Sequence, residues 1–519
     1  MKYTSTRRNN VDGGGGGAPS FVSFQEAICS GYAPDGGLYV PETLPTLSKK
    51  DLKEWSRLSY PDLSFEILRL FISPKEVADE VLRGICATTL EGFEDPNHAV
   101  PIRKLGSVYV AELFHGPTFC FKDFGLGAVV SLLSYFATKR NIPTTLLVAT
   151  TGDTGPAAVQ AVSRVNNPLL RILVHFPLGQ ISEFQKRQLT TVDSPCVRVV
   201  SFEGGGDDMD APIKRILQSR GAESNHYGRV VGVNSYNIAR PLMQMVHFVW
   251  TYFRVIEDLG VEPGNADVRV DMVVPTGAMG NIVGGYMAKK MGVPIGRLCA
   301  GTNINDIVYR VMHTGQFHRS NRMERTLSEA INIQLPYNFE RLLYYLTDCN
   351  STLVKEWMDT VDNTSKLDLD STWLSRLQDE FAAERVTDDA MCATIQSIKQ
   401  EYDYTVDPHT AVAFATTMSL GYNLRKQTSL VAILSTASPC KFQESMTVAL
   451  GSKGWNDYVN AEYPEQAGRI MEMTQIEPIV YRKGEDWEAL TRRIVDDFAK
   501  SRGSLLKTVI GPYRTSEGV

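Results

Sequence analysis

The chain has 519 residues, of which 43% are hydrophobic, so it can bury a large core and its length favours roughly two to four domains. Charged residues make up 22% of the chain and the formal net charge is -6. This balance gives no overall positive field that could hold nucleic acid or an anionic membrane, so binding to polyanions is not expected.

The cysteines and the N-terminus indicate in which cellular compartment the protein is expected. The eight cysteines are scattered, with no CxxC pair and no cysteine–histidine cluster at zinc-ligand spacing, so reduced thiols and no metal site are expected. No apolar stretch approaches the roughly 20 residues of a membrane-spanning helix, and the N-terminus lacks the apolar segment of a secretory signal. These patterns predict a cytoplasmic protein without a membrane partner. Arg7 and Arg8, beside hydroxyl residues, leave a transit peptide as the alternative.

The first part of the chain is predicted to form an N-terminal domain over residues 1–100. The run from Gly13 to Gly17 is typical of a flexible insertion that carries no chemistry. Residues 21–98 then mix helical apolar spacing with turn signals such as residues 33–37 (APDGG). The rest of the chain divides into a catalytic region over 101–455, with a smaller α/β domain inserted at about 135–235, and a C-terminal extension over 456–519.

From about residue 100, short apolar β-rich runs alternate with helix-length segments, which predicts an α/β protein with parallel sheets covered by helices. Strands are predicted at residues 144–149, 171–176, 197–202, 268–275 and 430–434. Helices are predicted at residues 241–256, 281–291 and 374–402. Several of the strand runs lack polar alternation, which indicates strands that are buried on both faces.

Two loops follow predicted strands and lead into predicted helices, the position at which α/β sheets bind anions. The first loop is TGDTG at residues 151–155; its alternative role is simple helix capping by Asp153 or Thr154. The second is TGAMGN at residues 276–281, whose glycines let backbone amides close around a phosphate. Its G-x-x-G spacing departs from the dinucleotide fingerprint, so binding of NAD is disfavoured.

Lys122 lies in the segment HGPTFCFKD, residues 115–123, between a strand-like run and an apolar segment. Aromatic neighbours would partly desolvate the lysine, which suits it to Schiff-base chemistry. A plain surface pair with Asp123 is the alternative for this motif by itself.

The order of these pieces resembles the threonine synthase family of fold-type II pyridoxal-phosphate enzymes, in the branch that includes fungal enzymes and animal threonine-synthase-like proteins. Further short sequence motifs, in the same order as in that family, extend the resemblance over nearly the whole chain. They are residues 3–7 (YTSTR), 30–38 (SGYAPDGGL), 188–192 (QLTTV), 234–240 (NSYNIAR), 336–341 (PYNFER), 407–412 (DPHTAV) and 435–437 (STA).

The resemblance implies a role for each matching residue. Lys122 would bond covalently to pyridoxal 5'-phosphate and then act as general base and acid. The loop that grips the cofactor phosphate would be Gly277, Ala278, Met279, Gly280 and Asn281. Thr436 would face the pyridine nitrogen as a neutral partner. Substrate contacts would come from Thr151, Gly152, Asp153 and Thr154, and from Asn234, Ser235, Asn237 and Arg240.

The activity implied by the resemblance is conversion of O-phosphohomoserine and water to threonine and phosphate. Arg240 could hold the departing phosphate, with a structural salt bridge as the equal alternative. A phospholyase acting on O-phosphothreonine or O-phosphoserine, giving 2-oxo acids and ammonia, is the second hypothesis. A catalytically silent protein that keeps the fold is the third. The expected partner is a small phosphorylated amino acid, and the protein would be a monomer or a homodimer.

Two departures from the biosynthetic pattern leave the substrate open. Ala278 and Met279 replace the Asn-Phe of the phosphate loop and are closer to the animal-like branch, and Ser438 stands where the pattern has histidine. Phosphate binding through backbone amides should survive these changes, but an amide side chain that could touch cofactor or substrate is lost.

Overall fold

The structure is a computed structural model that describes residues 1–8, 21–220, 228–320, 322–426 and 429–500. The glycine run from Gly13 to Gly17 and the end of the predicted C-terminal extension lie outside the described residues. Within the described ranges, no helix combines the length and apolar composition needed to cross a membrane.

The described strands are numbered in chain order. They are β1 (Tyr3–Ser5), β2 (Tyr39–Pro41), β3 (Ile102–Leu105), β4 (Val108–Glu112), β5 (Thr144–Ala149), β6 (Leu170–Pro177), β7 (Val197–Phe202), β8 (Arg229–Gly232), β9 (Val270–Pro275), β10 (Ile295–Thr302), β11 (Gln316–His318), β12 (Lys366–Asp368), β13 (Phe381–Arg385), β14 (Leu430–Ser435) and β15 (Ile479–Tyr481).

The described α-helices are numbered in the same way. They are α1 (Phe24–Ser30), α2 (Lys49–Trp55), α3 (Tyr60–Leu68), α4 (Asp79–Thr89), α5 (Lys122–Arg140), α6 (Thr154–Val165), α7 (Glu183–Thr190), α8 (Asp210–Arg220), α9 (Ala239–Asp258), α10 (Gly280–Lys290), α11 (Ile307–Thr314), α12 (Phe339–Leu346), α13 (Ser351–Thr364), α14 (Ser371–Glu380), α15 (Asp388–Tyr402), α16 (Pro408–Ser419), α17 (Gln443–Glu462), α18 (Glu465–Glu472) and α19 (Trp487–Lys500). Two short 3-10 helices cover Glu329–Ile331 and Pro439–Lys441.

Two mostly parallel sheets organise the molecule. The larger sheet has six strands in the order β13-β10-β9-β14-β4-β3, parallel except that β3 runs antiparallel to β4. The smaller sheet has five parallel strands in the order β15-β7-β6-β5-β8. The predicted α/β fold with parallel sheets, covering helices and an N-terminal domain is confirmed. The domain boundaries stay a prediction.

The strand patterns explain which residues form the sheets. Every residue of β5 is buried, as the lack of polar alternation in its run LLVA predicted, and every residue of β6 is buried as well. Helix α9 packs against α5 and α10 and is buried along nearly its whole length, because apolar residues surround it on most faces. The C-terminal strand β15 closes one edge of the smaller sheet beside β7.

One predicted element is wrong. The single helix predicted over residues 374–402 is instead α14, strand β13 and helix α15. The stretch from Phe381 to Arg385 has helix-compatible composition, but it pairs in parallel with β10 and forms the edge of the larger sheet. The free energy of strand pairing and burial at this edge overrides a weak local helix propensity.

Candidate active site

A cavity of about 100 Å³ lies where loops from the carboxyl ends of β5, β9 and β14 meet the start of α5. These strands belong to different sheets, β5 to the smaller and β9 and β14 to the larger, so the cavity lies between the two sheets. Most of the predicted site residues line it. They are Lys122, Thr151, Asp153, Thr154, Asn234, Ser235, Arg240, Gly277, Ala278, Met279, Gly280, Asn281 and Thr436.

Lys122 is the first residue of α5, and its side chain is 12% exposed. The turn before it is fixed by Asp123, whose carboxylate accepts hydrogen bonds from the Thr118 amide (2.9 Å) and hydroxyl (2.5 Å). Burial raises the pKa of Asp123 to about 6. The Phe121 amide donates to the carbonyl oxygen of Thr436, 2.9 Å away, which ties the lysine to the end of β14. The backbone at Lys122 is therefore held beside the cavity by contacts on both sides.

Asp153 is the charged partner of two lysines. Its carboxylate lies 3.4 Å from Nζ of Lys122 and 3.0 Å from Nζ of Lys441, and it accepts a hydrogen bond from Gln185 at 2.9 Å. Burial alone would raise the pKa of the Asp153 carboxyl, but the ammonium groups of Lys441 and Lys122 hold that pKa well below its usual range. Asp153 makes no capping hydrogen bond to α6, so the alternative role as a simple helix cap is not what the structure shows.

The TGAMGN loop offers unpaired backbone donors to the cavity. Among the described residues, the amides of Gly277, Ala278 and Met279 have no hydrogen-bond acceptor, whereas the Thr276 amide donates to the Gly301 carbonyl at 2.8 Å. Met279 adopts a left-handed conformation with φ of 62° immediately before α10. The loop thus presents free amides beside a helix N-terminus, an arrangement that fits a phosphate group.

Asn281 follows the loop and presents a donor of its own. His247, fully buried on α9, donates from Nε2 to Oδ1 of Asn281 at 2.7 Å. This bond fixes the orientation of the amide, and Nδ2 of Asn281 has no partner among the described residues. Burial lowers the pKa of His247 to about 4, so the imidazole is neutral at neutral pH.

Arg240 places a guanidinium in the wall of the cavity with only 2% of the residue exposed. Its Nη1 donates to the carbonyl oxygen of Val233 at 3.0 Å, and its Nε is unpaired. No carboxylate among the described residues forms an ion pair with Arg240, so the alternative of a structural salt bridge is not supported within the described ranges. Burial lowers the pKa of Arg240 to about 10.

Two predicted substrate residues do not line the cavity. Gly152 packs against Gln185, while the Asn237 amide group donates to the carbonyl oxygens of Ile28 (2.8 Å) and Gly232 (3.1 Å). The Asn237 side chain therefore bonds to the backbone of α1 and of β8. Asn234 does reach the cavity, and it also bridges to the end of β5 through both backbone groups of Ala149.

His409 also lines the cavity, although the sequence analysis assigned it no role there. Its Nε2 accepts the Ala330 amide at 3.1 Å, so the ring proton lies on Nδ1, which donates to Asp407 at 2.8 Å. The Asp-Pro-His sequence signals the start of α16, but it cannot show that the imidazole reaches the 3-10 helix at Ala330, 79 residues earlier.

Gln244 and Lys441 are further residues that the sequence interpretation did not assign to the site. Gln244 lies one turn after Arg240 on α9, lines the cavity and leaves Oε1 unpaired. Lys441 donates to the carbonyl oxygen of Thr118 at 2.8 Å and is fully buried. A helical spacing of four from Arg240 could have identified Gln244.

The residues present fit pyridoxal 5'-phosphate. They supply the amine of Lys122 and the free amides of the TGAMGN loop, which can bind a phosphate. Thr436 adds a buried hydroxyl, held at the cavity by its position after β14. Each of these groups is neutral or cationic, which suits an anionic cofactor.

Comparison with known proteins gives the same assignment. Residues 2–90 match the model of the threonine synthase N terminus, and residues 90–436 match that of pyridoxal-phosphate dependent enzymes. The chain is 34% identical to human threonine synthase-like 2 over 504 residues, covering 96% of this chain and 98% of the relative. It is 32% identical to threonine synthase from Saccharomyces cerevisiae over 526 residues, with the same coverage of 96% and 98%.

Solved structures agree with the sequence relatives. The crystal structure of yeast threonine synthase superposes with a TM-score of 0.83 at 30% identity, covering 96% of this chain and 99% of that one. Threonine synthase with bound pyridoxal phosphate from Brucella melitensis gives a TM-score of 0.81 at 29% identity, covering 96% and 100%. The predicted family and cofactor are confirmed: the chain belongs to the threonine synthase family of pyridoxal-phosphate enzymes.

Proposed function

We propose that this enzyme converts O-phosphohomoserine and water to threonine and phosphate. The observation that carries the proposal is Arg240, a buried guanidinium in the same cavity as Lys122 and without a carboxylate partner among the described residues. A buried cation is costly without a counter-charge, and the planar guanidinium matches phosphate oxygens well. A phosphorylated substrate supplies the missing anion.

Each part of the cavity has a role in this reaction. Pyridoxal phosphate, when bound, supplies a conjugated ring that withdraws electrons from the α-carbon of an amino-acid substrate. Lys122 holds the cofactor, and its amine moves protons at the substrate carbons. The amides of Gly277, Ala278 and Met279 would bind the cofactor phosphate, and Thr436 would be the neutral partner of the ring nitrogen.

The loop after β5 binds the substrate carboxylate in this proposal. Asp153 is a negative charge in that loop, and by itself it would repel a carboxylate. Lys441, fully buried and 3.0 Å away, neutralises it. The hydroxyls of Thr151 and Thr154 and the amides at the start of α6 can then bind the substrate anion.

A product assay tests the reaction. Purified protein with added pyridoxal phosphate is given O-phosphohomoserine, O-phosphothreonine or O-phosphoserine, and threonine, 2-oxo acids and free phosphate are measured. We expect threonine and phosphate in equal amounts from O-phosphohomoserine, and no product with Lys122→Ala. Absence of threonine from O-phosphohomoserine would contradict the proposal.

The role of Arg240 has its own control. We expect Arg240→Gln to lower kcat/KM about a hundredfold or more, because a buried charge-assisted contact to the phosphate is lost. Arg57→Gln removes an exposed guanidinium that lines neither the catalytic cavity nor its walls and should leave kcat/KM unchanged. Equal kcat/KM values for the Arg240→Gln variant and the wild-type enzyme would remove the phosphate-binding role.

A second candidate is elimination of phosphate from O-phosphothreonine or O-phosphoserine. The observation in its favour is Ala278, which lines the cavity without the amide side chain of the biosynthetic pattern. Ser438, the other departure, caps the short helix Pro439–Lys441 and does not line the cavity, so it gives no support to either reaction. 2-Oxo acids from these two substrates in the assay above, without threonine from the first, would establish this alternative.

A further inference from the structure

A second cavity, of about 200 Å³, lies beside the catalytic one. It is enclosed by the N-terminal segment, α8, the chain around β11 and α12, and α13. Six apolar residues of its lining, called here the apolar wall, are Leu38, Phe317, Leu335, Phe339, Met358 and Val361. The second cavity is larger than the catalytic one at about 100 Å³, and it has room for a small metabolite.

The charged residues of this cavity fall into two groups. Arg7 is already neutralised by ion pairs with Glu340 (2.8 Å) and Asp362 (2.6 Å). In contrast, Asp210 and Lys214 form no ion pair with a described residue, although they lie one turn apart on α8 and both line the cavity. Lys214 instead lies over the ring of Tyr32, 5.3 Å from its centroid.

A further charge of each sign lies at the same cavity. Asp207 lines it next to Asp210, and burial together with repulsion from Asp207 raises the pKa of Asp210 well above its usual value. Arg319 also lines the cavity and partly offsets this rise, but it forms no ion pair with any residue of the described ranges. The cavity thus offers two acidic and two basic groups beside an apolar wall.

We propose that the second cavity binds a free α-amino acid with an apolar side chain. Its ammonium faces Asp207 and Asp210, its carboxylate faces Lys214 and Arg319, and its side chain packs on the apolar wall. Side chains at i and i+4 of a helix are about 5–6 Å apart, a spacing that the two charged groups of a zwitterion can bridge.

Occupancy of this cavity would act on the catalytic one because the two share walls. Asp207, Asp210 and Tyr337 line both. Asp207 accepts the Gln334 amide at 3.0 Å, within the segment that also contributes Ile331 and Ile333 to the catalytic cavity. A bound amino acid would therefore change the stability of this segment, so the second cavity is a regulatory site.

Calorimetric titration of the cofactor-loaded protein tests the proposal, with L-isoleucine, L-methionine, L-phenylalanine and glycine as probes. We expect at least one of the first three to bind at one site per chain and more tightly than glycine. Binding should persist in Lys122→Ala, because the amine of the probe lies in the second cavity, which Lys122 does not line. Lys214→Glu should weaken binding at least about tenfold, since it turns an attraction into a repulsion.

Lys75→Glu is the matched control, because Lys75 is exposed, lines neither cavity and should leave binding unchanged. The proposal is overturned if no probe binds more tightly than glycine, or if Lys214→Glu binds the probe as the wild type does. Loss of binding in Lys122→Ala would also overturn it, because the probe would then depend on the lysine of the catalytic cavity. These outcomes do not depend on which phosphorylated substrate the enzyme uses.

Discussion

Asp153 illustrates what a sequence can and cannot predict about a single residue. The TGDTG loop indicated a site at this position, because hydroxyls and glycines followed a buried strand. The partner Lys441 lies on a different element, and the Gln185 contact comes from α7. No local pattern encodes contacts over such separations. Their meeting depends on the packing of the smaller sheet against the larger one.

We expect Asp153→Asn to lower the free energy of unfolding by about 3–5 kcal/mol, since Lys441 would be left buried without a counter-charge. Urea unfolding measures the change. Asp193→Asn, at an exposed carboxylate, is the control and should have little effect. Adding Lys441→Met to Asp153→Asn should recover part of the loss, because the unpaired charge is removed. A cost below about 1 kcal/mol for Asp153→Asn would show that Lys441 does not need this partner.

At the scale of elements, the loop between β5 and α6 depends on one glycine. Gly152 has φ of 126°, a conformation that side chains rarely allow. A Cβ atom at this position would lie 2.4 Å from the amide atoms of Gln185. Gln185 cannot simply move away, because it also donates to Asp153. The glycine is therefore required by the loop, although it does not line the cavity.

We expect Gly152→Ala to displace Gln185 and Asp153 and to lower kcat/KM by at least about tenfold, the loss associated with a small misplacement of a binding loop. Gly179→Ala is a matched control, because Gly179 also has positive φ (67°) but has open space around its Cβ position. That variant should lose only about 1 kcal/mol of stability from backbone strain and keep its activity. Equal activities of the two variants would contradict the role of the loop.

The elements themselves were predictable to different degrees. Strand β5 and strand β7 begin and end at the residues predicted for them, because short runs rich in β-branched residues lie between turn residues in both cases. The stretch from Phe381 to Arg385 was not predictable, since its alanines and charges suit a helix and only its pairing with β10 makes it a strand. The position of Lys122 at the cavity was predictable from its motif, and that of Gln244 from its helical spacing to Arg240, whereas His409 reaches the cavity through tertiary packing.

At the scale of the whole molecule, buried histidines link stability to pH. His175 lies in the smaller sheet and His247 lies on α9 beside the larger one, and both are fully buried. Burial lowers the pKa of each to about 4, from a usual value of 6.5. Between these values the unfolded chain binds protons that the folded protein does not. Stability is therefore fully present above about pH 6.5 and is lost progressively as the pH falls towards about 4.

His247→Gln isolates one of these contributions. Glutamine keeps an amide donor for Oδ1 of Asn281 but does not titrate. Between pH 7 and pH 5 the wild type should lose about 2 kcal/mol more of its free energy of unfolding than this variant, the amount that a pKa difference of this size predicts. Urea unfolding at both pH values gives the comparison. Equal losses of unfolding free energy in His247→Gln and the wild type would contradict the prediction. They would mean that the folded protein protonates His247 as readily as the unfolded chain does.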